Sequence, residues 1–270
     1  MTDTQDIWGK ILEENSTAGI TPDDVREAFS GFHGKISQKP PMYSAVRVGG
    51  RRLYDYARAG ETVEVKEREV YIRGLEIEQM DFAHDSDVKK VTFTVECSKG
   101  TYIRTICEDA GRHLGCGAAM ESLCRIASGA FKIEDAIDLY ELVDTYSSRR
   151  FEGEKYFVEP AGEDALCEIE KLVLPTDYPL THFGSAVMDE AMGKKFINGW
   201  HISFRDCEVT ERSEFEQKEP EFEIRPEYRG AYKMYRRTAC GNDFLGVAFY
   251  SPKYKKLVAD KVFCRNDEEV

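Results

Sequence analysis

The sequence predicts an α+β fold, with strands and helices in its first part and mostly short strands towards its C-terminus. In residues 87–97 apolar side chains alternate with polar ones, which is typical of a half-buried strand. After Gly100 the apolar residues recur at spacings of three and four, which predicts a helix that ends at Gly115. From about Lys171 onwards, short apolar runs separated by turn residues predict a small β-rich domain.

The earlier elements follow from local signals. A helix is expected to begin near residue 21, because Thr21 is a suitable N-cap and Pro22 suits the first helical position. Residues 40–60 predict an extended segment after the two prolines, followed by a short strand, a glycine turn and a short helix. Residues 63–80 alternate in polarity and predict one or two strands.

The second half is more irregular. Residues 128–146 predict the end of a strand and a short helix. Residues 147–171 are polar and lack periodicity, so they are interpreted as a linker or insertion. Turns at Cys240 and at Ser251 separate three predicted strands in the last part of the chain.

The composition is that of a globular protein. With 270 residues, of which 41% are hydrophobic and 32% charged, the chain is long enough for one large domain or two modest ones. No apolar run approaches the roughly 20 residues that a membrane span needs. The acidic N-terminus has no apolar segment typical of a signal peptide, so a cytoplasmic location is predicted.

The eight cysteines are scattered, form no C-x-x-C pair and do not cluster with the five histidines. This pattern argues against a disulfide framework and against a zinc site. Reduced, mostly buried thiols and no metal are therefore expected.

Charge is unevenly distributed along the chain. The net charge of −13 acts against a polyanionic partner. Residues 35–60 nevertheless contain six basic residues and one acid, and residues 250–265 contain five basic residues and one acid. Residues 205–223 show the opposite bias, with eight acids and three basic residues. The basic stretches fit either a docking face for an anion or ordinary surface charge, and both interpretations stay open on charge alone.

Arg104 is the residue that most requires a chemical explanation. It is predicted to lie in the first turn of a helix, where the positive end of the dipole disfavours a cation by roughly 0.3–1 kcal/mol. Either a carboxylate or phosphate offsets this effect, or Arg104 pairs with Glu108 on the helix surface. The residues alone do not decide between these two possibilities.

Four stretches of the sequence together resemble one family. They are "GKISQKPPMYSAVRVGGRRLYDYARAG", "CSKGTYIRTICEDAGRHLGCG", "SLCRIASGAF" and "IEDAIDLYEL". In this order they resemble the bacterial tRNA pseudouridine synthases of the TruB type, which modify uridine 55 of the T arm. The resemblance covers about residues 1–145. More weakly, residues 172–265 resemble the family's small PUA-like RNA-binding domain.

The resemblance implies a mixed sheet with flanking helices and three catalytic positions. The arginine of the G-T-Y-I-R motif, here Arg104, is expected to pair with the catalytic aspartate. Tyr102 is expected to lie against the flipped uracil, and Leu123 to line the same pocket. The family's reaction needs no metal and no organic cofactor. The expected partner is the T arm of tRNA, and neither DNA nor a membrane is expected.

The resemblance also implies an RNA-binding surface. Residues 43–66, in which tyrosines alternate with arginines, correspond to the family's thumb, which presses on the T loop. Cations and aromatic rings together suit nucleic-acid binding, although arginine stems can also simply pack on tyrosine rings. The candidate RNA-binding residues are Lys35, Lys39, Tyr43, Arg47, Arg51, Arg52, Arg58, Lys99 and Arg125.

One family motif is not found. The nucleophile of the family lies in an N-terminal motif of the form G-G-x-L-D-x-x-A-x-G, and the printed sequence does not contain it. Arg104 is therefore expected to have no aspartate within this chain, and the chain alone is expected to be inactive. The sheet is expected to lack its first strands, leaving an unpaired edge and exposed apolar surface.

Three explanations for the missing motif are a wrongly assigned start codon, which is favoured, a split gene and a degraded gene. An in-frame copy of the motif within roughly 90 codons upstream, the distance that the family resemblance suggests, supports the first explanation.

The predicted organisation is a partial catalytic domain (1–146), a linker (147–171) and a PUA-like domain (172–265). A non-catalytic tRNA-binding or tRNA-folding module, or one half of a split synthase, is the alternative to a truncated enzyme.

Overall fold

The computed structural model of the chain describes residues 1–82, 89–152, 155–218 and 224–263. The chain divides into two compact units, Met1–Cys124 and Arg125–Val270. Both units combine helices with antiparallel strand pairs, so the predicted α+β class is confirmed.

The first unit contains three helices and five strands among its described residues. In chain order they are α1 (Pro22–Ser30), β1 (Gly34–Gln38), β2 (Arg47–Val48), β3 (Arg51–Arg52), α2 (Leu53–Arg58), β4 (Arg68–Asp81), β5 (Lys90–Cys97) and α3 (Ile103–His113).

The core of the first unit lies between its sheet and two helices. Strands β1, β4 and β5 form an antiparallel sheet in that order, so β1 and β5 are its edges among the described residues. Val25 and Phe29 of α1 pack with Ile72 of β4 and with Ile106 and Ala110 of α3. Burial of this apolar cluster fixes α3 against the sheet and thereby fixes the position of Arg104.

Several local predictions for the first unit are confirmed. Helix α1 begins after Thr21, whose hydroxyl accepts a hydrogen bond from the Asp24 amide. Gly49 and Gly50 connect β2 to β3 with φ angles of +58° and +86°, which two-residue hairpin turns with both central φ angles positive require. The predicted helix after Gly100 is α3, which ends two residues before Gly115.

The second unit contains four helices and nine strands among its described residues. In chain order they are β6 (Ala127–Ser128), β7 (Phe131–Lys132), α4 (Leu139–Tyr146), β8 (Ser147–Glu152), β9 (Lys155–Pro160), α5 (Glu163–Leu172), β10 (Gly184–Met188), α6 (Glu190–Ile197), β11 (Glu208–Glu211), α7 (Glu214–Gln217), β12 (Ala231–Thr238), β13 (Gly241–Ser251) and β14 (Lys256–Val262). Short 3-10 helices cover Ile133–Asp135 and Pro226–Gly230.

The main sheet of the second unit has the order β11-β10-β12-β13-β14. Strands β10 and β12 are parallel, with α6 between them in the chain, and the other pairs are antiparallel. The core includes Phe196 of α6, Tyr232 and Met234 of β12, and Leu257 of β14. The three strands predicted between residues 231 and 262 are confirmed as β12, β13 and β14.

Residues 147–171 are not irregular, as their polar composition suggested. Strands β8 and β9 pair as an antiparallel hairpin, and α5 follows them. A two-stranded hairpin buries little on either face, so its sequence need not alternate between apolar and polar residues. The predicted domain boundaries at residues 146 and 171 stay predictions, while the two compact units meet in the sequence at residue 124.

Three further expectations concern the whole chain. No helix of the described residues is long and apolar enough to cross a membrane. The seven described cysteines are free thiols, but the expectation that most are buried is wrong. Four of them are half-buried, and Cys124, Cys167 and Cys240 are exposed. The acidic stretch 205–223 contains β11 and α7, and its residues 219–223 lie outside the described ranges, as do Cys264 and Arg265.

Candidate active site around Arg104

Arg104 lies in the first turn of α3, immediately after the turn that leaves β5. Gly100 in this turn has a φ angle of +86°, a conformation that glycine adopts without strain. Tyr102 is the N-cap residue of α3, and its side chain makes no capping hydrogen bond. The sequence therefore brings a guanidinium to a strand-to-helix junction, as predicted.

The guanidinium of Arg104 is held by an aspartate and two backbone carbonyls. Its Nη1 lies 3.3 Å from Asp6 Oδ2 and donates to the Thr4 carbonyl at 3.1 Å. Its Nη2 donates to the Tyr43 carbonyl at 2.9 Å. The side chains of Arg104 and Asp6 are 23% and 20% exposed, so the pair is shielded from water more than a surface ion pair.

These interactions leave part of the guanidinium unoccupied. A guanidinium has five N–H donors. Within the described ranges, Nη1 makes two hydrogen bonds, Nη2 makes one, and the Nε–H has no partner. Nε and Nη2 lie on the same edge of the planar group, and this edge can pair with both oxygens of a carboxylate.

Asp6 is itself held in one orientation. The Thr4 hydroxyl donates to Asp6 Oδ1 at 2.8 Å, and the Trp8 amide donates to the same oxygen at 3.1 Å. Partial burial, the largest single influence, raises the pKa of this carboxyl. The hydrogen bonds from Thr4 and Trp8 and the contact with Arg104 outweigh burial, and the pKa lies below its ordinary value. Asp6 is therefore ionised at neutral pH.

Both sequence-based expectations about Arg104's partner need correction. The expectation that Arg104 finds no aspartate within this chain is wrong, because Asp6 contacts it. The alternative pairing with Glu108 is also wrong: Glu108 pairs with Arg112 at 2.8 Å and accepts a hydrogen bond from Gln5. An anion does offset the helix dipole, but it comes from a residue 98 positions away.

The segment that carries Asp6 is docked onto α3 through Gln5. The Gln5 side chain accepts a hydrogen bond from the Thr105 hydroxyl at 3.0 Å. Its backbone has a φ angle of +65°, which is uncommon for a residue other than glycine. The Gln5 carbonyl accepts from the Met120 amide at 2.9 Å. These hydrogen bonds hold a strained backbone beside Asp6 and fix its distance from Arg104.

Tyr102 is fixed through its backbone by Gln38, at the end of β1. The Gln38 side-chain oxygen accepts from the Tyr102 amide at 3.0 Å, and its side-chain nitrogen donates to the Tyr102 carbonyl at 3.2 Å. Gln38 is only 2% exposed, so these bonds satisfy both ends of a buried amide. The predicted contact between the Tyr102 ring and a flipped base stays a prediction.

The other predicted site residues of the first unit lie at its surface. Leu123 is 60% exposed, as is typical of a side chain without a packing partner. Lys39 and Lys99 are exposed, and Lys35 lies 3.8 Å from Glu69. Within the described part of the chain, no three His, Cys, Asp or Glu side chains form a group that could hold a metal ion.

The predicted basic-aromatic stretch forms a β2–β3 hairpin followed by α2. Arg51 stacks on Tyr56 at 4.2 Å, and its guanidinium also pairs with Glu61 at 3.0 Å. Arg52 and Arg58 lie over Tyr54 at 5.5 Å and 5.3 Å. Arg47 is exposed and faces Arg52 across the hairpin. The arginines of this stretch do pack on tyrosine rings, through their guanidinium groups, and its binding to RNA stays a prediction.

The last predicted RNA-binding residue, Arg125, is exposed and begins the second unit. The structure therefore brings together Arg104, the Tyr43 backbone and Tyr102, whereas the remaining arginines cluster on the hairpin and α2.

The sequence prediction missed Asp6 and Gln38. Neither has a local signal, since their partners lie 98 and 64 residues away along the chain.

Known families and proteins resemble this chain over most of its length. A model of the TruB family pseudouridylate synthase N-terminal domain matches residues 1–103. A model of the tRNA pseudouridylate synthase B C-terminal domain matches residues 104–181. Together they account for the segment with Asp6, the hairpin, α3 and the beginning of the second unit.

Curated relatives carry one name. The tRNA pseudouridine synthase B of Alkaliphilus oremlandii is 40% identical over 201 residues, which are 74% of this chain and 58% of that protein. The protein of the same name from Syntrophomonas wolfei is 38% identical over 202 residues, 75% of this chain and 60% of that protein. The one from Clostridium kluyveri is 32% identical over 259 residues, 95% of this chain and 73% of that protein. The chain thus spans about 60% of the first two relatives.

Solved structures are similar in fold. A chain of a Cbf5–Nop10–Gar1 complex matches 93% of this chain with a TM-score of 0.59 and 19% sequence identity, over 63% of its own length. A chain of an archaeal box H/ACA sRNP Nop10–Cbf5 complex matches 94% with a TM-score of 0.58 and 18% identity, over 65% of its own length.

Proposed function

Because the chain belongs to the TruB family of pseudouridylate synthases, we propose that it supplies the arginine and the RNA-binding surfaces of a tRNA pseudouridine synthase. The substrate is uridine 55 of the T arm, which the enzyme isomerises to pseudouridine. The observation that carries this proposal is the guanidinium of Arg104. It is fixed by Asp6, Thr4 and Tyr43, and its Nε–H, which has no partner within the described ranges, can donate to a second carboxylate.

That second carboxylate is the nucleophilic aspartate, and it comes from a polypeptide segment outside the 270 printed residues. The family motif for this residue does not occur in the sequence, and the first two relatives are considerably longer than the stretch they share with this chain. We do not assign Asp6 as the nucleophile, because the sequence around it does not match that motif and its Oδ1 already accepts hydrogen bonds from Thr4 and Trp8. We assign Asp6 the role of positioning Arg104.

The reaction needs the target base outside its stack. The hairpin and α2, within residues 43–66, press on the T loop, and Tyr102 and Leu123 contact the flipped uracil. The aspartate attacks and the bond between the ribose C1′ and the uracil N1 breaks. The uracil turns so that its C5 bonds to C1′, the aspartate is released, and the C5 proton passes to solvent while N1 takes up a proton. Arg104 keeps the attacking carboxylate ionised and oriented.

The segment with the aspartate also explains several exposed apolar side chains. Trp8 is 87% exposed, and Ile11 and Leu12 are exposed by more than 60% each. All three follow Asp6 closely in the sequence. Large apolar groups concentrated in this way are typical of a surface that another segment covers. The covering segment can be the upstream part of the same reading frame or a separate polypeptide.

The second unit supports the enzyme through RNA binding. Residues 172–265 form a PUA-like domain, and the five-stranded sheet with α6 is the observation that favours it. The proposed site of action is the cytoplasm, where tRNA is modified.

Release of tritium from T-arm RNA labelled at uracil carbon 5 tests the proposed function. The chain is expressed with the reading frame found upstream of it, or with a polypeptide that carries the aspartate motif. Turnover supports the synthase. Specific T-arm binding without turnover in every combination contradicts the synthase and supports a non-catalytic tRNA-binding module. Turnover by the 270 residues alone contradicts the external nucleophile.

A further inference from the structure

A cleft lies in the second unit between residues 175–177, which follow α5, and the paired strands β12 and β13. Its volume is about 510 Å³. Cavities of roughly 300–1,000 Å³ are typical of small-molecule sites. The cleft shares no residue with the site around Arg104, so the proposed synthase chemistry gives it no role. The side chains that matter for its chemistry are Thr176, Asp177, Tyr235, Asn242, Phe244 and Phe263.

Three aromatic rings follow one another along the wall of the cleft. Tyr235 of β12 and Phe244 of β13 are register partners, and their ring centroids lie 5.6 Å apart. Phe263, which follows β14, stacks on Phe244 with a centroid distance of 5.6 Å. The Phe263 side chain is 52% exposed, so this row of rings has surface open to a ligand. The face of an aromatic ring carries negative potential and attracts cations.

Asp177 places a carboxylate beside these rings. Its Oδ2 accepts a hydrogen bond from the Tyr235 hydroxyl. Burial and this contact raise the pKa of Tyr235, so the hydroxyl stays protonated and continues to donate. Asp243, also at the cleft, is balanced by Arg236 at 3.0 Å. Asp177 has no such partner among the described residues, and the described wall contains no Lys, Arg or His.

A carboxylate beside open aromatic rings selects one kind of ligand. An anion is repelled by Asp177, and a hard metal ion needs several oxygen ligands and gains nothing from the rings. An ammonium suits the charge, but it is compact and strongly hydrated. A guanidinium is planar and weakly hydrated, so it can stack on a ring while its N–H groups donate to the carboxylate. The Thr176 hydroxyl and the Asn242 side-chain carbonyl offer acceptors for its remaining N–H groups.

We propose that this cleft binds a guanidinium group on an aliphatic stem, with its N–H groups donating to Asp177 and its plane stacked on the rings of Phe244 and Phe263. The Tyr235 hydroxyl fixes the carboxylate in the orientation that receives these donors. The guanidinium belongs either to a small guanidino compound or to an arginine side chain of a peptide, because the two present the same chemistry. The proposal does not rest on the proposed function.

The experiment titrates butylguanidine into the full chain, labelled with nitrogen-15, and follows the amide resonances by NMR. We expect saturable shifts at Asp177, Tyr235 and Phe244. Butylurea, which has nearly the same shape but no charge, is expected to bind about tenfold more weakly or less, because it loses the charged hydrogen bond. Butylamine, which keeps the charge but not the plane, is expected to bind about threefold more weakly. Equal affinity for either analogue, or shifts confined to other residues, overturns the proposal.

Substitutions test the named side chains in the same titration. Asp177→Asn is expected to weaken the binding of butylguanidine by about tenfold or more. Phe244→Leu is expected to weaken it by about threefold, since it removes a cation–π contact. The matched control is Asp206→Asn, which removes an exposed carboxylate of the same unit outside the cleft and should leave the affinity unchanged. Equal losses in Asp206→Asn and Asp177→Asn overturn the proposal. The comparison of analogues uses the original chain, so it stays decisive if a variant does not fold.

A further ligand distinguishes the two sources of the guanidinium. N-acetylarginine N-methylamide carries the peptide groups on both sides of an arginine. Affinity at least equal to that of butylguanidine supports the site as one for an arginine of a peptide, and weaker binding supports it as one for a free guanidino compound. Absence of binding by both ligands overturns the proposal. None of these measurements depends on turnover of T-arm RNA, so the synthase and the guanidinium site fail separately.

Discussion

At the scale of single residues, the position of Arg104 depends on groups from two distant stretches of sequence. Thr4 and Asp6 belong to the N-terminal segment, and the Tyr43 carbonyl belongs to the stretch before the basic hairpin. Each hydrogen bond limits the rotation of a long side chain, and together they hold the guanidinium in one orientation. Orientation of this kind is what a residue needs if it is to hold a reacting carboxylate.

The Asp6→Asn variant tests whether Asp6 fixes the position of Arg104. It keeps the shape of the side chain but removes the charge that faces the guanidinium. We expect the free energy of unfolding in urea to fall by about 1.5–3 kcal/mol, since hydrogen bonds to charged groups contribute about this much. Asp23→Asn is the control, because Asp23 pairs with Arg26 at 2.5 Å but is 91% exposed. A decrease in the control as large as that of Asp6→Asn contradicts the structural role of the pair.

The same carboxyl predicts a pH dependence. The pKa of Asp6 in the folded protein lies below its ordinary value of 3.8. Its stabilising contribution is therefore complete above about pH 5 and is lost as the pH falls through the folded-state pKa. Urea unfolding between pH 3 and pH 6 is expected to show a steeper loss of stability in the original chain than in Asp6→Asn. Parallel curves for the two proteins would contradict the lowered pKa.

Gln38 gives a third prediction at this scale. In Gln38→Leu the new side chain has about the same volume as glutamine, but it leaves the Tyr102 amide and carbonyl without their hydrogen-bond partners. We expect a loss of about 1–3 kcal/mol in unfolding free energy and faster hydrogen exchange of the Tyr102 amide. Ser37→Ala, at the neighbouring exposed position, should change neither quantity. Unchanged exchange at Tyr102 in Gln38→Leu would show that the bonds do not hold this residue.

At the scale of elements, α3 is the part that positions the site, and its packing is unusually close on one side. An added Cβ at Gly111 would lie 2.1 Å from the Ala118 amide nitrogen and 2.4 Å from the Gly117 carbonyl carbon. The chain at 117–120 also pairs with the segment that carries Asp6, through the bridge between Asp6 and Met120. Close approach at Gly111 therefore determines how near Asp6 comes to Arg104.

The Gly111→Ala variant tests this close approach. The new methyl group meets backbone, which cannot move aside as a flexible side chain can, so we expect about 1–3 kcal/mol of destabilisation. We also expect the effects of Gly111→Ala and Asp6→Asn to be non-additive in the double variant. The control is Gly74→Ala in β4, where an added Cβ meets no atom within 4 Å. Equal stability of Gly111→Ala and the original chain contradicts the packing.

Elements with strong local signals were predictable from sequence, and the others were not. Helix α3 and the β12–β13–β14 strands have clear periodicity and turn residues, and they were found. The hairpin β8–β9 was missed because a small exposed pair carries no alternation. Asp6 and Gln38 were missed for a different reason. Their roles arise only when segments far apart in the sequence meet, and a charge or amide in a short stretch does not reveal its distant partner.

At the scale of the whole molecule, RNA binding has to overcome a net charge of −13. The basic hairpin with α2 is a local exception to this charge. Because binding of phosphates releases counterions, the affinity for T-arm RNA is expected to fall steeply as salt rises. An affinity that is the same at low and moderate salt would mean that these basic residues do not bind phosphates.

The arginines of the hairpin and α2 can be tested in the same measurement. Replacing Arg52 and Arg58 with alanine is expected to weaken T-arm binding. The slope of log affinity against log salt is expected to decrease by about one for each phosphate that is no longer neutralised. Arg26→Ala, which removes an exposed arginine from α1, is the control and should leave the slope unchanged. A slope that is equally steep in all these proteins contradicts the assignment of this stretch to RNA.

The central claim is that the guanidinium of Arg104 holds a carboxylate from outside the 270 residues through two parallel N–H donors. The most direct test is the rate of tritium release by the complemented enzyme that carries Arg104→Lys. Lysine keeps the positive charge but cannot donate two parallel hydrogen bonds to one carboxylate. The account predicts a rate lower by about 100-fold or more, with T-arm affinity within about threefold of the original. A rate within about threefold of the original would contradict it, because a simple positive charge would then be sufficient.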